Sequence, residues 1–169
     1  MHVARDERAR VRGAQRGSVS DLEVLFRTHW PRAYRAAYLV THDASAAEDI
    51  AQESFLAALR ALDSFDRRRP FGPWLHRIVV NRAIDWARAR RLRSEVELSE
   101  TIPAANAAEA PGDDVLAALA RLAPEHRAVV VMRYLLEFTP GEIADALDLP
   151  RGTVNSRLRR GLDTLSEEL

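Results

Sequence analysis

Thr139-Pro140-Gly141-Glu142-Ile143-Ala144-Asp145-Ala146-Leu147-Asp148-Leu149-Pro150-Arg151-Gly152-Thr153-Val154-Asn155-Ser156-Arg157-Leu158 reads as two short helices joined by a tight turn. Thr139 and Glu142 have the spacing of a capping box, and Pro140 stands at the first helical position, where its missing N–H costs nothing. Ile143, Ala144 and Leu147 share one face. Asp148-Leu149-Pro150 ends that helix, and Val154, Leu158, Leu162 and Leu165 recur at helical spacing in the next. Small Ala144 lets the two helices approach. This leaves Arg151, Thr153, Asn155, Ser156, Arg157, Arg159 and Arg160 on the outer or flanking surface, the side-chain types that read a major groove and grip phosphates. A plain helical hairpin with a solvated polar face would not need the cap, the inward Ala and the Arg-studded second helix together. The turn residue Asp148 departs from the Gly usual at a position that favours positive φ.

Upstream, Val115, Leu116, Leu119 and Leu122 precede a break at Pro124. A helix with Val129, Val130, Met132 and Leu135 or Leu136 follows. No stretch alternates with period two, so the expected fold is all-helical: two small bundles. The segment between them, residues 94–112, is acidic, rich in Ala and Pro, and without apolar period, which marks a flexible linker. Fully extended it reaches about 70 Å, roughly two turns of B-DNA. The expected layout is a disordered Arg-rich tail over 1–20, a first bundle over 21–93, the linker over 94–112 and a second bundle over 113–169.

In the first bundle, Ser20 to Glu23 and Ser45 to Glu48 both have capping-box spacing. Leu22, Leu25 and Phe26 are expected inward, with Pro31 kinking or interrupting the helix before Tyr34. The next helix carries Ala47, Ile50, Ala51, Phe55, Ala58, Leu59 and Leu62 on one side. Opposite them runs a second stripe, Asp49, Gln52, Glu53 and Leu56. An acidic face is commonly just solvated, but Leu56 within it points to a docking face with helix-in-groove spacing. A third helix begins near Pro73 with Leu75, Ile78, Val79 and Trp86.

Net charge is zero over 169 residues, which hides an uneven distribution. Residues 67–93 carry nine Arg and one Asp, a local +8 suited to a polyanion. Arg67, Arg68, Arg69, Phe71, Trp74, Arg77, Asn81 and Arg88 combine phosphate-binding groups with flat rings on which unpaired bases stack, worth about 1–3 kcal/mol per base. Opening a base-pair step costs about 1.4 kcal/mol, so such a surface holds a melted strand without ATP-driven chemistry. On pattern alone, Trp74 and the Arg run fit equally well a core residue beside a solvated loop. Trp86 reads as core.

The chain has no Cys, which excludes disulfide scaffolds, thiolate metal sites and Cys nucleophiles. Glu48, Asp49 and Glu53 lack a His at matching spacing, and the five His show no ligand pattern. No catalytic residue, metal or cofactor is therefore expected. The apolar runs are too short to cross a bilayer and no secretory signal precedes them, so a cytoplasmic protein without membrane insertion is expected.

Three motifs in order carry a resemblance. Residues 47–55 (AEDIAQESF) resemble the polymerase-docking helix of bacterial sigma factors. Residues 73–82 (PWLHRIVVNR) resemble the helix after their promoter-melting loop. Glu142-Ile143-Ala144 with Gly152-Thr153-Val154-Asn155-Ser156-Arg157-Leu158 resembles their second DNA-binding domain. The two-block layout is similar to the extracytoplasmic-function group, which keeps only regions 2 and 4. The resemblance implies an initiation subunit, not an enzyme, that directs polymerase to promoters. It implies that Asp49, Gln52 and Glu53, with Leu56 in the same stripe, contact the clamp coiled coil of the largest subunit. It implies that the stretch from Asp66 to Trp74 captures the −10 non-template strand, with Arg77, Asn81 and Arg88 on nearby backbone. Arg151, Thr153, Asn155, Ser156, Arg157 and Arg159 would read the −35 element, and an anti-sigma partner would cover these surfaces. Asn155 and Arg151 depart from the common residues there, as does the run Arg67-Arg68-Arg69-Pro70 in the loop, so promoter sequence cannot be borrowed from a relative.

Overall fold

The computed structural model describes the backbone of residues 2–100 and 114–168 and the side chains of 6–96 and 114–167. Among these are eight α-helices and no strand: α1 (His2–Gln15), α2 (Val19–Thr41), α3 (Ala44–Arg60), α4 (Phe71–Glu100), α5 (Asp114–Arg121), α6 (Pro124–Tyr134), α7 (Pro140–Leu147) and α8 (Arg151–Glu168), with a 3-10 turn at Leu62–Ser64.

The N-terminal stretch is a helix, which corrects the expected loose tail over 1–20. Its polar composition has no apolar period, so the sequence pattern could not reveal it. What holds α1 is Val11, 2% exposed in the core, and the Arg10–Asp21 ion pair at 2.8 Å. It ends in a Schellman motif: Gly17 adopts φ +88°, Ser18 N–H donates to Gly13 O and Gly17 N–H to Ala14 O. Ser18 then caps α2 by accepting from Asp21 N–H, so the cap lies two residues before the expected Ser20. Helix α2 runs unbroken through Pro31, which sits on its exposed side, and the expected interruption does not occur. Asp43, not Ser45, caps α3, accepting from Ala46 N–H at 2.9 Å.

Helix α3 buries Ala46, Ala47, Ile50, Ala51, Ser54, Phe55 and Ala58 against α2 and α4. Helix α4 starts at Phe71 and continues to Glu100, so residues 94–100 of the expected linker are helical, while the remainder lies outside the described residues. The second block packs α6 and α7 against α8. The core is continuous between blocks, because α6 seats on α2 and α4. Arg127, 7% exposed, lies at this seam and donates to the carbonyls of Val40, Ala120 and Leu122, each within 2.8 Å. Burial lowers its guanidinium to about 10, so it remains charged at neutral pH. Arg32 donates to Leu135 O, Asn81 to Ala146 O, and Arg88 pairs with Glu125 across the same seam.

Candidate nucleic-acid interface and docking ridge

Asp49, Gln52, Glu53 and Leu56 are all exposed on α3, because the helix turns its Ala-rich face inward. Glu53 meets Arg82 of α4 at 3.2 Å, an exposed pair worth little to stability. Leu56 is 51% exposed and lines an apolar groove of about 440 Å³ between α2 and α3, with Leu22, Phe26, Phe55 and Leu59. Phe26 and Leu59, expected in the core, instead open onto this groove at 40% and 37% exposure. The acidic stripe and the groove therefore form one ridge-and-furrow surface.

Between the 3-10 turn and α4, residues 66–70 form a loop. Arg67, Arg68 and Arg69 are exposed on it. The Arg68 guanidinium bonds both Asp66 oxygens and pulls that carboxyl to about 2, which keeps the loop lassoed on itself. Phe71 corrects the sequence reading: it is 3% exposed, with its ring packed on Phe65 and His29, and has no face to offer a base. Trp74 is half-buried, its ring tilted 34° against Phe65 at a centroid distance of 4.4 Å, with its outer part accessible. Arg69, Trp74 and Arg77 line a cleft of about 290 Å³ whose opposite wall is Phe138, Glu142, Asp145 and Ala146. Asn81, bonded to Arg77 O and Ala146 O, and Arg88, bonded to Glu125 at 2.6 Å, are engaged by the second block.

The helix-turn-helix forms as the pattern demands. Thr139 accepts from Glu142 N–H while the Glu142 carboxylate accepts from Thr139 N–H at 2.7 Å. Asp148 takes the left-handed conformation, φ 52°, and Leu149 N–H closes the turn onto Ala144 O. Ile143, Ala144, Val154 and Leu158 fill the wedge. Leu162, expected inward, is 39% exposed. Arg151, Asn155, Arg159 and Arg160 project outward on α8; Thr153, Ser156 and Arg157 are half-buried beside them, with Ser156 Oγ donating to Thr153 O.

Sequence reasoning missed Arg127, Glu7 and Gln15. Arg127 lies at i+3 from Pro124 and i−3 from Val130, on the apolar face of α6, and that position is the signal of a buried cation. No signal of that kind exists for Glu7 and Gln15. Among the described residues no group of three His, Asp or Glu could hold a metal, and no helix is long and apolar enough to cross a membrane.

Two exposed Arg-bearing surfaces on separate helical blocks, one a helix-turn-helix, are the arrangement of a DNA-binding protein. The family model for sigma-70 region 2 matches residues 25–93 and that for sigma-70 region 4 matches residues 112–165, so the chain belongs to the sigma-70 family of transcription-initiation factors. Within it, the chain falls in the extracytoplasmic-function group. It is 30% identical to the extracytoplasmic-function sigma factor SigW of Bacillus subtilis over 95% of both chains. Identity to SigL of Mycobacterium tuberculosis is 33%, over 93% of both chains. Among solved structures, CnrH in complex with the cytosolic domain of CnrY matches with TM-score 0.71 at 28% identity, covering 96% of each chain. The sigma factor RpoE of Bartonella quintana, in complex with the anti-sigma factor NepR, has TM-score 0.69 at 23% identity over 89% of this chain and 97% of that one, a likeness of fold.

Proposed function

We propose that this chain docks on core RNA polymerase through Asp49, Gln52, Glu53 and Leu56, holds the melted −10 strand on Arg67, Arg69 and Trp74, and reads the −35 duplex with Arg151, Thr153, Asn155, Ser156, Arg157, Arg159 and Arg160. The carrying observation is the exposure of Asp49, Gln52, Glu53 and Leu56 along one stripe of α3, on a different helix from the Arg67–Arg69 loop and from α8. One molecule can therefore engage polymerase and DNA together. The clamp coiled coil of the largest subunit is the docking partner that an acidic ridge beside an apolar furrow suits, since helix-in-groove contacts combine an apolar anchor with charged flanks.

Trp74 offers the stacking surface and Phe71 supports it from below. Arg77, Asn81 and Arg88 lie along α4 where strand backbone would run. Asn81 and Arg88 bond to the second block in this arrangement, so the blocks part when these side chains take phosphate. An anti-sigma partner, of the kind that binds the Bartonella sigma factor, would act by holding the surfaces covered. The chain acts in the cytoplasm with polymerase and contributes binding energy, not chemistry.

In vitro transcription with core enzyme tests the reading. Added protein yields transcripts with defined 5′ ends on a subset of templates; a holoenzyme that makes no promoter-dependent transcript overturns it.

A further inference from the structure

Residues 66–70 are held from both stems by a helix that lies before the region 2 match, which begins at residue 25. On the incoming stem, Gln15 Nε2 of α1 donates to Leu62 O at 2.8 Å and to Phe65 O at 3.1 Å. Leu62 opens the 3-10 turn and Phe65 closes it, so one amide staples the turn shut immediately before Asp66. On the outgoing stem, Glu7 Oε2 accepts from the N–H of Phe71, the first residue of α4, at 3.3 Å. That N–H has no partner within its own helix, and a carboxylate also suits the positive end of the helix dipole. Glu7 Oε1 accepts from His29 Nε2 at 2.9 Å, which fixes the carboxylate in place and holds its pKa below the usual range. Between the stems Phe65, Phe71 and Trp74 interlock, with ring centroids 4.4 to 5.9 Å apart.

We propose that α1 is a clamp that presets the −10 loop, with Gln15 and Glu7 as positioning residues for strand capture. The inference rests on the strand-capture reading above. A loop with both ends fixed presents Arg67, Arg69 and Trp74 already arranged, and the strand then pays little ordering entropy on their behalf. Val11 and the Arg10–Asp21 pair also dock α1 and are untouched by substitution at Gln15 or Glu7, and Glu7→Gln keeps a polar partner for His29, so the clamp can be cut while the helix stays.

The experiment uses the full chain with Gln15→Leu, which removes the donors at similar size, Glu7→Leu, and Glu7→Gln, which keeps an oxygen for Phe71. In the free chain, Gln15→Leu is expected to speed hydrogen exchange of amides in 66–70 while those of α3 are unchanged. In holoenzyme, at a promoter defined by wild-type transcripts, Gln15→Leu and Glu7→Leu each weaken capture of a non-template −10 oligonucleotide about tenfold. They also narrow discrimination against single-base changes in it, with core affinity unaltered and Glu7→Gln near wild type. Strand affinity and discrimination within twofold of wild type overturn the clamp. Parallel losses of core affinity and strand capture overturn it too, since they mark a merely structural helix. A wild-type holoenzyme without promoter-dependent transcription sinks the strand-capture reading and the clamp together; an active wild type with indifferent variants sinks the clamp alone.

Discussion

Arg127 Nη1 donates to the backbone carbonyl of Val40 across the seam between the two helical blocks, 2.7 Å away and shielded from solvent. A buried cation persists only when most of its donors are satisfied; the two Nη atoms of this one are tied to three carbonyls on α2 and around the α5–α6 turn, while its Nε has no partner among the described residues. Its removal leaves those carbonyls desolvated without a donor.

Arg127→Met keeps the aliphatic volume and deletes the donors. The expected loss is about 3 kcal/mol, from hydrogen bonds to a charged group worth about 1.5–3 kcal/mol each, partly recovered by relaxation. Urea denaturation measures it as a lower midpoint. A midpoint within experimental error of wild type would remove Arg127 from the account of how the blocks are joined.

Acid should weaken the fold before the carboxylates titrate. Burial lowers His42 and His76 from 6.5 to about 4, with Arg127 beside the first and His29 and Arg32 beside the second adding to the shift. Between those values the unfolded chain binds more protons than the folded one, so stability falls as pH falls. It is complete above about pH 6.5 and the histidine contribution is exhausted below about 4. Asp43 and Asp66, whose folded pKa values lie below the ordinary carboxylate range, add their loss only at lower pH. His76→Asn is expected to flatten the slope between pH 6.5 and 4, read as denaturation midpoint against pH; an unchanged slope would contradict the burial of a neutral imidazole there.

Asp49→Arg together with Glu53→Arg should abolish polymerase binding while leaving helicity intact. Both side chains are exposed, and the Glu53–Arg82 pair lost with them is worth about 1 kcal/mol or less. Titration of core enzyme against labelled protein gives the affinity, and circular dichroism the helicity. Unchanged core affinity would strip the ridge of its docking role.

The sequence carried the parts of this molecule that repeat at helical spacing or obey turn chemistry. Thr139 and Glu142 cap α7 as their spacing requires, and Asp148 adopts the positive φ that its place in the turn demands. The first two caps were misplaced because Ser18 and Ser20, or Asp43 and Ser45, offer competing oxygens two residues apart, and packing decides between them. Phe71 was misread for a related reason: an aromatic among arginines looks like a stacking platform until the aromatic cluster with Phe65 draws it inside. Helix α1 was illegible because its one deeply buried apolar residue, Val11, sets up no period, and the backbone carbonyls that Gln15 meets some fifty positions away leave no trace in side-chain pattern.

On α8, exposed Asn155 and Arg159 should separate base reading from phosphate binding. Asn can make two hydrogen bonds to one adenine, so Asn155→Ala is expected to cost about 1–3 kcal/mol at the preferred −35 sequence and little at a sequence altered at the contacted base. We propose that Arg159, one turn farther along the helix, contributes to the −35 surface by gripping backbone phosphate rather than a base. Arg159→Ala should weaken all sequences alike and reduce the slope of log affinity against log salt by about 1. Holoenzyme binding to a panel of single-base −35 variants at several salt concentrations measures both. Equal effects of Asn155→Ala across the whole panel would move the reading of bases to Arg151 and Thr153, which precede it on the same helix.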